Sequence, residues 1–212
     1  MPYMAVALFS EYASALSLQP IYLLSSGSFR SLCTCSACLT KTITYEAFSL
    51  IHLAVRDVCD IEPALEAHFA SAEIISDFEC LTCAPTKQSV SKSLQLDANY
   101  LPETLAIQLK RFEYSTTFKC KVKLSHWVAY PERLEVPSLS STSITSIPYL
   151  LHAVLVHTGS ANGGHYYVYV RQVLDEKKVS IWWKYNDDNV SSVTAKEAVS
   201  YTHLTLPTNR EV

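Results

Sequence analysis

The fold is decided by three runs near the end of the chain, which read YLLHAVLVHTG (149–159), SANGGHYYVYV (160–170) and WWKYNDDNV (182–190). The first run predicts an apolar strand that ends in a glycine turn, and His165 opens the strand that follows. The third run predicts an aromatic strand that ends at Asn186 and Asp187. Short connections favour antiparallel neighbours, so this sequence can place one imidazole beside one amide or carboxylate. Such a pair is the base-and-orienter half of a nucleophilic catalytic site.

The composition indicates one folded domain, or one domain with a small appendage. The chain has 212 residues, of which 49% are hydrophobic and 17% are charged, and this balance is ordinary for a globular unit. Its thirteen tyrosines and seven phenylalanines favour a strand-rich core. The formal net charge of −3 argues against binding to nucleic acid or to a membrane surface through charge.

The sequence predicts neither a membrane span nor a cleaved signal. No window approaches the roughly 18 apolar residues that a spanning helix needs. No basic residue precedes Arg30, and Glu11 interrupts the apolar N-terminal stretch, whereas a signal peptide begins with basic residues. We therefore expect the cysteines to lie in a reducing compartment, which is the cytoplasm, the nucleus or both.

The remaining pattern predicts mostly strands. Residues 1–19 could form a short helix, residues 21–55 alternate as strands do, and residues 60–69 predict an amphipathic helix capped by Asp60. Leu105, Ile107 and Leu109 alternate along a central strand. We also expect a mobile surface loop at 138–146, further strands at 149–156, 165–173 and 179–185, and one core and one more exposed side chain at Trp182 and Trp183.

Two Cys-x-x-Cys pairs, Cys35 with Cys38 and Cys80 with Cys83, predict a metal site. Each such turn aims two thiolates at one point, and two turns complete a tetrahedral site for which zinc is the usual ion. The alternative is one redox pair with incidental thiols, but a redox pair usually accompanies a βαβ unit, which is absent here. We therefore expect a structural Zn²⁺, with Cys33 as a nearby thiol that could compete as a ligand.

The residues around His165 predict a general base. His165 follows Gly163 and Gly164, so a substrate backbone can pass close to the imidazole without meeting a side chain. The imidazole could deprotonate a thiol or hydroxyl and later protonate a leaving amine. Asn186 or Asp187 could then orient its other ring nitrogen. The alternative is a half-exposed histidine on a hairpin turn without a catalytic role.

Several motifs, in one consistent order, resemble the ubiquitin-specific protease family of cysteine deubiquitinases. The runs at 149–159, 163–170 and 182–190 resemble the family's histidine box and asparagine/aspartate box. LPETLAIQLKRFEY (101–114) resembles its leucine-lysine-arginine-phenylalanine strand, and the cysteine quartet resembles its zinc-bearing fingers. The resemblance covers about residues 24–199.

The resemblance implies an α+β, strand-rich fold, with a papain-like cysteine protease palm at about 97–199 and zinc-ribbon-like fingers at about 24–96. It implies thiol-dependent hydrolysis of the peptide or isopeptide bond after the C-terminal glycine of ubiquitin. Ubiquitin and ubiquitinated proteins would be the partners. His165 matches the catalytic histidine, Asn186 the orienting residue, and Asp187 the acidic residue that follows.

The resemblance also assigns the remaining site residues. The cysteine quartet matches the zinc ligands, and the segments 138–146 and 158–164 match the loops beside the channel for the ubiquitin tail. Gly163, Gly164 and Tyr166 would lie along that tail. His157 is expected to pack or hydrogen-bond beneath the turn rather than serve as a second base. Lys110 and Arg111 are expected to be a charge pair on a solvated or palm surface.

The sequence departs from the family at the nucleophile. The family's cysteine box, a glycine-rich Asn-Thr-Cys-Tyr segment that opens a helix, has no counterpart, because Cys59 and Cys120 lie in unrelated contexts. The helical thumb is missing too. We therefore expect the C-terminal half of a catalytic domain, inactive by itself, at 21–199, with residues 1–20 unassigned and a non-native tail at 200–212.

Two other interpretations stay open. The chain could be a non-catalytic ubiquitin-binding module or pseudo-enzyme, which would use the fingers and palm alone. It could instead be a free-standing zinc-ribbon adaptor, but this would leave His165 and Asn186 unexplained.

Overall fold

The computed structural model describes residues 6–10, 24–139, 143–173 and 180–200, with the backbone alone at 6–10 and 200. The predicted non-native tail therefore lies, apart from its first residue, outside the described residues. Within the described ranges, no helix is both long enough and apolar enough to cross a membrane. The strand-rich α+β class predicted from the sequence is confirmed.

The largest element is an eight-stranded sheet in the order β14-β13-β12-β11-β1-β7-β4, with β10 also paired to β11. Every pairing in it is antiparallel except that of β4 with β7. Its strands are β1 (Val6–Ser10), β4 (Ile51–Ala54), β7 (Thr104–Lys110), β10 (Arg133–Leu139), β11 (Ile144–Ser160), β12 (Gly163–Val173), β13 (Ser180–Asn186) and β14 (Asn189–Val193).

Two smaller sheets complete the strand structure. A four-stranded antiparallel sheet has the order β3-β2-β6-β5, and β8 and β9 form a separate hairpin. Their bounds are β2 (Gly27–Cys35), β3 (Lys41–Phe48), β5 (Ala72–Phe78), β6 (Gln88–Leu96), β8 (Phe112–Ser115) and β9 (Cys120–Lys123). The helices are α1 (Ile61–Ala70), α2 (Ala195–Ser200) and a 3-10 turn (Ala98–Tyr100).

Helix α1 begins where the sequence predicts it. The Asp60 carboxylate accepts a hydrogen bond from the backbone N–H of Glu62 at 3.0 Å, which satisfies one of the free donors of the first turn. The helix buries Ile61, Ala64 and Leu65 in the core beneath the eight-stranded sheet. Both α1 and β4 fall within the predicted finger range, yet β4 pairs with β7 of the eight-stranded sheet.

Strand β7 is the predicted central strand, and it is buried on both faces. Leu105, Ile107 and Leu109 are buried, and so are the intervening Ala106 and Gln108. A strand whose two faces are both covered has a continuous run of apolar residues instead of an alternation of apolar and polar residues. β7 lies between β1 and β4, so both of its edges are paired, and its buried side chains on both faces show that the sheet is covered on either side at this strand.

Strands β11 to β14 form an antiparallel meander that positions the functional residues. β11 and β12 pair from Ala153↔Val170 to Ser160↔Gly163, joined by a two-residue turn at 161–162. Trp182 is buried, whereas Trp183 is partly exposed and donates its indole N–H to Gln172 Oε1 at 2.9 Å. The predicted division between one core and one more exposed tryptophan is therefore confirmed.

Two local predictions are wrong. Val6–Ser10, within the stretch expected to form a short helix, is strand β1 and pairs with both β7 and β11. Residues 138–139 and 144–146 of the predicted loop are strand, because β10 and β11 pair as far as Leu139↔Ile144, and residues 140–142 lie outside the described residues. Serine and threonine suggested a loop there, but hydroxyl side chains are compatible with a paired strand, and Ser138 Oγ lies 3.2 Å from Thr145 Oγ1 across the pair.

Candidate functional site

The structure brings together the histidine and the amide that the sequence singles out. His165 lies near the start of β12, and Asn186 is the last residue of the neighbouring strand β13. His165 Nε2 lies 2.5 Å from Asn186 Oδ1 and 3.6 Å from Asp187 Oδ2. The His165 side chain is 47% exposed, so the ring remains accessible for chemistry.

The partners of Nε2 determine which ring nitrogen can act as a base. An amide oxygen and a carboxylate oxygen only accept hydrogen bonds, so Nε2 of His165 must carry the proton. In a neutral imidazole the other nitrogen, Nδ1, then holds the free lone pair. His165 is thus held in the tautomer that leaves Nδ1 available to take a proton from a nucleophile.

Asp187 plays the smaller part in this arrangement. It occupies the turn between β13 and β14 with a φ of 51°, a left-handed conformation that aspartate tolerates better than most residues. Its side chain is 78% exposed, and water weakens a charge interaction at such a site. Asn186 is therefore the main group that orients the His165 ring, and the Asp187 carboxylate adds a weakly interacting negative charge near Nε2.

The two glycines before His165 have different structural requirements. A Cβ at Gly163 would meet no atom within 4 Å, whereas a Cβ at Gly164 would lie 2.0 Å from Thr158 O and 2.3 Å from His157 Nε2. Gly164 is therefore required by the close packing of β12 on β11. Gly163 leaves open space at the end of the strand, where another chain can approach.

A cleft of about 390 Å³ opens between the β8–β9 hairpin and the turn that joins β11 to β12. Its lining consists of two aromatic side chains from β8, a third from β12, several polar groups, and the glycine-rich turn. The lining residues are Phe112, Glu113, Tyr114, Lys121, His157, Ser160, Ala161, Asn162, Gly163, Gly164 and Tyr166.

His165 does not line this cleft, because consecutive side chains of a strand point to opposite faces. Tyr166 and Gly164 share the cleft face, while His165 shares the other face with Tyr167 and Tyr169. Gly163 and Gly164, which carry no side chains, separate the two faces at the end of the strand. An extended chain in the cleft can therefore pass over this edge toward His165.

His157 lines the cleft and packs between two aromatic rings. Its ring lies 5.6 Å from the ring of Phe112 and 4.6 Å from that of Tyr166. Burial lowers the pKa of His157, and the nearby Lys123 ammonium lowers it further. A neutral, packed imidazole is the result, as the sequence predicted.

The hairpin that forms one wall of the cleft was not predicted from the sequence. Phe112, Glu113 and Tyr114 on β8 and Lys121 on β9 line the cleft, whereas none of the described residues of 138–146 does. The sequence carried a signal for this hairpin, since FEYS and CKVK flank a short polar turn. Arg111 was also misjudged: it is partly buried, and its guanidinium donates to Leu124 O at 3.1 Å and His126 O at 2.8 Å.

Among the described residues, no hydrogen bond joins a cysteine side chain to His165. All seven cysteines of the chain fall within the described ranges and are free thiols. None of them is among the hydrogen-bond partners of His165, which are Asn186 through the ring and Thr158 through the backbone carbonyl. Cys59 and Cys120 are exposed, and the other five belong to the four-stranded sheet or its turns.

The two Cys-x-x-Cys turns meet at one end of the four-stranded sheet. The sulfur atoms of Cys35, Cys38, Cys80 and Cys83 all lie within 4.8 Å of one another. The Cys38–Cys80 and Cys35–Cys83 sulfur separations are 3.5 Å and 4.0 Å. Tetrahedral zinc with Zn–S bonds of about 2.3 Å requires sulfur separations of about 3.8 Å, so the cluster fits this ion.

The thiol pKa values also fit a site for a cation. Hydrogen bonds from the side chain and backbone of Thr40 lower the pKa of Cys38 to about 6. Hydrogen bonding with Cys38, together with burial, raises the pKa of Cys83 to about 12. The Cys38 thiol thus ionises readily while that of Cys83 resists, and a bound cation favours the thiolate form of its ligands.

Comparisons with known proteins agree with this geometry. The family model described as ubiquitin carboxyl-terminal hydrolase matches residues 9–206. The chain is 27% identical to ubiquitin carboxyl-terminal hydrolase 9Y of Mus musculus, over 78% of this chain and 8% of that protein. It is 29% identical to ubiquitin carboxyl-terminal hydrolase 15 of Schizosaccharomyces pombe, over 87% of this chain and 16% of that protein.

Solved structures give the same result. A SAGA DUB module of Ubp8, Sgf11, Sus1 and Sgf73 bound to monoubiquitin matches with a TM-score of 0.70 and 28% identity, over 84% of this chain and 39% of that chain. The module bound to ubiquitin aldehyde matches with a TM-score of 0.70 and 26% identity, over 88% of this chain and 41% of that chain. The chain spans less than half of each of these relatives.

Proposed function

The chain belongs to the ubiquitin carboxyl-terminal hydrolase family, and from this premise we propose that it supplies the histidine half of a deubiquitinase site. The complete site would hydrolyse the peptide or isopeptide bond after the C-terminal glycine of ubiquitin. The observation that carries this proposal is the 2.5 Å contact between His165 Nε2 and Asn186 Oδ1. It fixes the ring so that Nδ1 can accept a proton from a cysteine thiol.

The chemistry follows from this tautomer. Nδ1 of His165 takes the proton of the thiol, and the thiolate adds to the carbonyl carbon of the terminal glycine. The resulting imidazolium donates that proton to the leaving amine, and Nδ1 then activates the water that releases ubiquitin from the thioester. Asn186 keeps Nε2 protonated throughout.

The ubiquitin tail would occupy the cleft beside β12. Gly163 and Gly164 leave the start of β12 free of side chains, and the Tyr166 ring forms an aromatic wall of the cleft. A tail that ends in two glycines can use such a narrow passage because it has no side chains of its own. The monoubiquitin and ubiquitin aldehyde in the matched structures support ubiquitin as the ligand, and ubiquitinated proteins would be the substrates.

Zn²⁺ would be held by Cys35, Cys38, Cys80 and Cys83 in a closed structural site. Four thiolates around one ion leave no open position for a substrate, so the ion would stabilise the turns and take no part in hydrolysis. Four free thiols this close require reducing conditions, which supports a cytoplasmic or nuclear location.

The nucleophile would come from outside the set of seven cysteines, so the isolated chain should not hydrolyse ubiquitin conjugates. The test is a ubiquitin substrate with a fluorogenic C-terminal amide, incubated with the purified chain. We expect no turnover above the buffer rate. Turnover that disappears in the His165→Ala variant would show that a cysteine of this chain reaches the imidazole, and the proposal would fail.

A non-catalytic ubiquitin-binding module is the second candidate, because His165 has no thiol partner among the described residues. It predicts the same absence of turnover, so a binding measurement is needed. Calorimetry with ubiquitin, and with ubiquitin that lacks its last two glycines, separates the possibilities. A deubiquitinase site requires that the tail contribute to affinity, whereas a simple binding surface would bind both forms equally.

A further inference from the structure

The β8–β9 hairpin, which forms one wall of the cleft, belongs to neither of the larger sheets. Its position is therefore set by its direct connection to β7 through Arg111 and by side-chain contacts rather than by pairing with those sheets. Phe112 packs on His157, Glu113 forms an ion pair with Arg56, and the Lys123 ammonium reaches strand β11. The ion pair is on the surface, where such contacts contribute little to stability.

Lys123 makes a polar connection from this hairpin to the strand pair that carries His165. Its Nζ donates to His157 O at 2.8 Å and to Gly159 O at 3.1 Å. Alternate carbonyls of a strand face the same edge, so both acceptors lie along one edge of β11. Hydrogen bonds from a charged donor are stronger than those between neutral groups.

Lys123 supplies a donor to an edge of β11 that is unpaired beyond Val154. Strand β1 pairs with β11 as far as Val154, and no described strand continues along that edge to Ser160. The bond to the His157 carbonyl is half-buried, where a carbonyl without a partner is costly, whereas Gly159 is exposed and its carbonyl can also bond water. The pKa of Lys123 is lowered by burial and by the nearby Arg111, so the ammonium is itself partly withdrawn from water and depends on these two carbonyls.

We infer that Lys123 is a positioning residue that sets the width of the cleft and the placement of the Gly163–His165 segment. The inference rests on the proposed function, since the cleft is taken to receive the ubiquitin tail. By holding the carbonyls of His157 and Gly159, the ammonium fixes β11 opposite Gly164 and Tyr166. The same contact holds the hairpin wall at a constant distance from the glycine-rich turn.

The test compares Lys123→Met, which keeps the length of the apolar stem, with Lys123→Arg, which keeps a charged donor. Lys119→Met is the matched control, because Lys119 lies in the exposed turn of the same hairpin and outside the cleft lining. The first measurement is hydrogen exchange of residues 155–166 in the free chain. We expect Lys123→Met to raise it about 10-fold, with partial rescue by Lys123→Arg and no change in the control.

The second measurement is the affinity for intact ubiquitin and for ubiquitin without its last two glycines. Lys123→Met should weaken binding of intact ubiquitin about 10-fold and leave binding of the truncated form unchanged. Faster exchange with unchanged affinity for intact ubiquitin would reduce Lys123 to a stabilising residue and overturn the inference. Unchanged exchange would overturn it as well.

The two proposals fail in different ways. If the wild-type chain binds intact and truncated ubiquitin equally, the proposed function is wrong, and so is the part of the inference that concerns the tail. The exchange measurement still decides whether Lys123 fixes the hairpin against β11, because it requires no ligand.

Discussion

The two main sheets are stabilised in different ways. The eight-stranded sheet packs on a continuous apolar core that includes Leu53, Ile61, Leu65 and Tyr149. The far end of the four-stranded sheet has only a small cluster, in which the four cysteines are joined by Val90, Ile75 and Phe78. We therefore expect the sheet that carries His165 to hold its geometry alone, and the end of the other sheet to need the zinc ion proposed for its four cysteines.

Removal of zinc should have the largest effect and should be confined to the cysteine end. We expect about one zinc per chain, lost in Cys80→Ser but retained in Cys120→Ser, whose thiol is exposed and outside the cluster. Metal analysis and hydrogen exchange at residues 33–40 and 78–90 measure this. This difference between the two sheets would be contradicted by a wild-type chain without zinc. It would also be contradicted if Cys80→Ser raised exchange in β11 and β12 as much as at the cysteine end.

A core substitution should destabilise the eight-stranded sheet without affecting zinc. Leu65 is 1% exposed, and Leu65→Ala should cost about 2–5 kcal/mol of unfolding free energy. Leu81→Ala is the control, because Leu81 is 95% exposed and its loss should change stability by less than about 0.5 kcal/mol. Urea unfolding measures both variants. Equal effects would show that the core of this sheet is not what stabilises it.

The neighbouring glycines provide a smaller and more local test. Gly164→Ala places a Cβ against Thr158 O and should cost about 1–3 kcal/mol, as overpacking typically does. Gly163→Ala enters open space and should leave stability unchanged. Thermal unfolding of the two variants checks this. A stable Gly164→Ala protein would mean that β11 and β12 do not pack as described.

The smallest expected effect is on the pH dependence of stability. Burial holds the pKa of His157 and that of His68 below their ordinary values. The unfolded chain, with a histidine pKa of about 6.5, then binds protons that the folded chain refuses, so stability falls as pH drops below about 6.5. The slope of stability against pH is proportional to the number of protons taken up on unfolding. In the zinc-loaded protein, His157→Gln should reduce that number by up to about one. An unchanged slope would indicate an ordinary pKa for His157.

Much of the His165 strand pair could be predicted from sequence because its signals are local. Apolar runs, two glycines and a two-residue turn specify β11 and β12, and the capping Asp60 specifies α1. Strand β1 at Val6–Ser10 could not be predicted in the same way. Its pairing depends on β7 and β11, which lie far away in the sequence, and a short central strand has no pattern of its own.

In the candidate site, too, the features with local sequence signals could be predicted and the others could not. His165 and Asn186 follow from motif order, and β-alternation alone implies that His165 and Tyr166 point to opposite faces. The cleft wall could not be predicted from the sequence, because the β8–β9 hairpin is held against β11 by contacts of Phe112 and Lys123 rather than by strand pairing. Side-chain contacts between distant segments leave no periodic signal in the sequence.

We propose that Asn186 fixes the tautomer of His165, with the proton on Nε2 and the free lone pair on Nδ1, so that the ring can act as a base. Nitrogen NMR of the histidine ring at neutral pH measures this tautomer directly in the wild-type chain and in Asn186→Ala. We predict a single Nε2–H tautomer for His165 in the wild type and a mixture of tautomers in the variant. A wild-type His165 that carries its proton on Nδ1 would contradict the account.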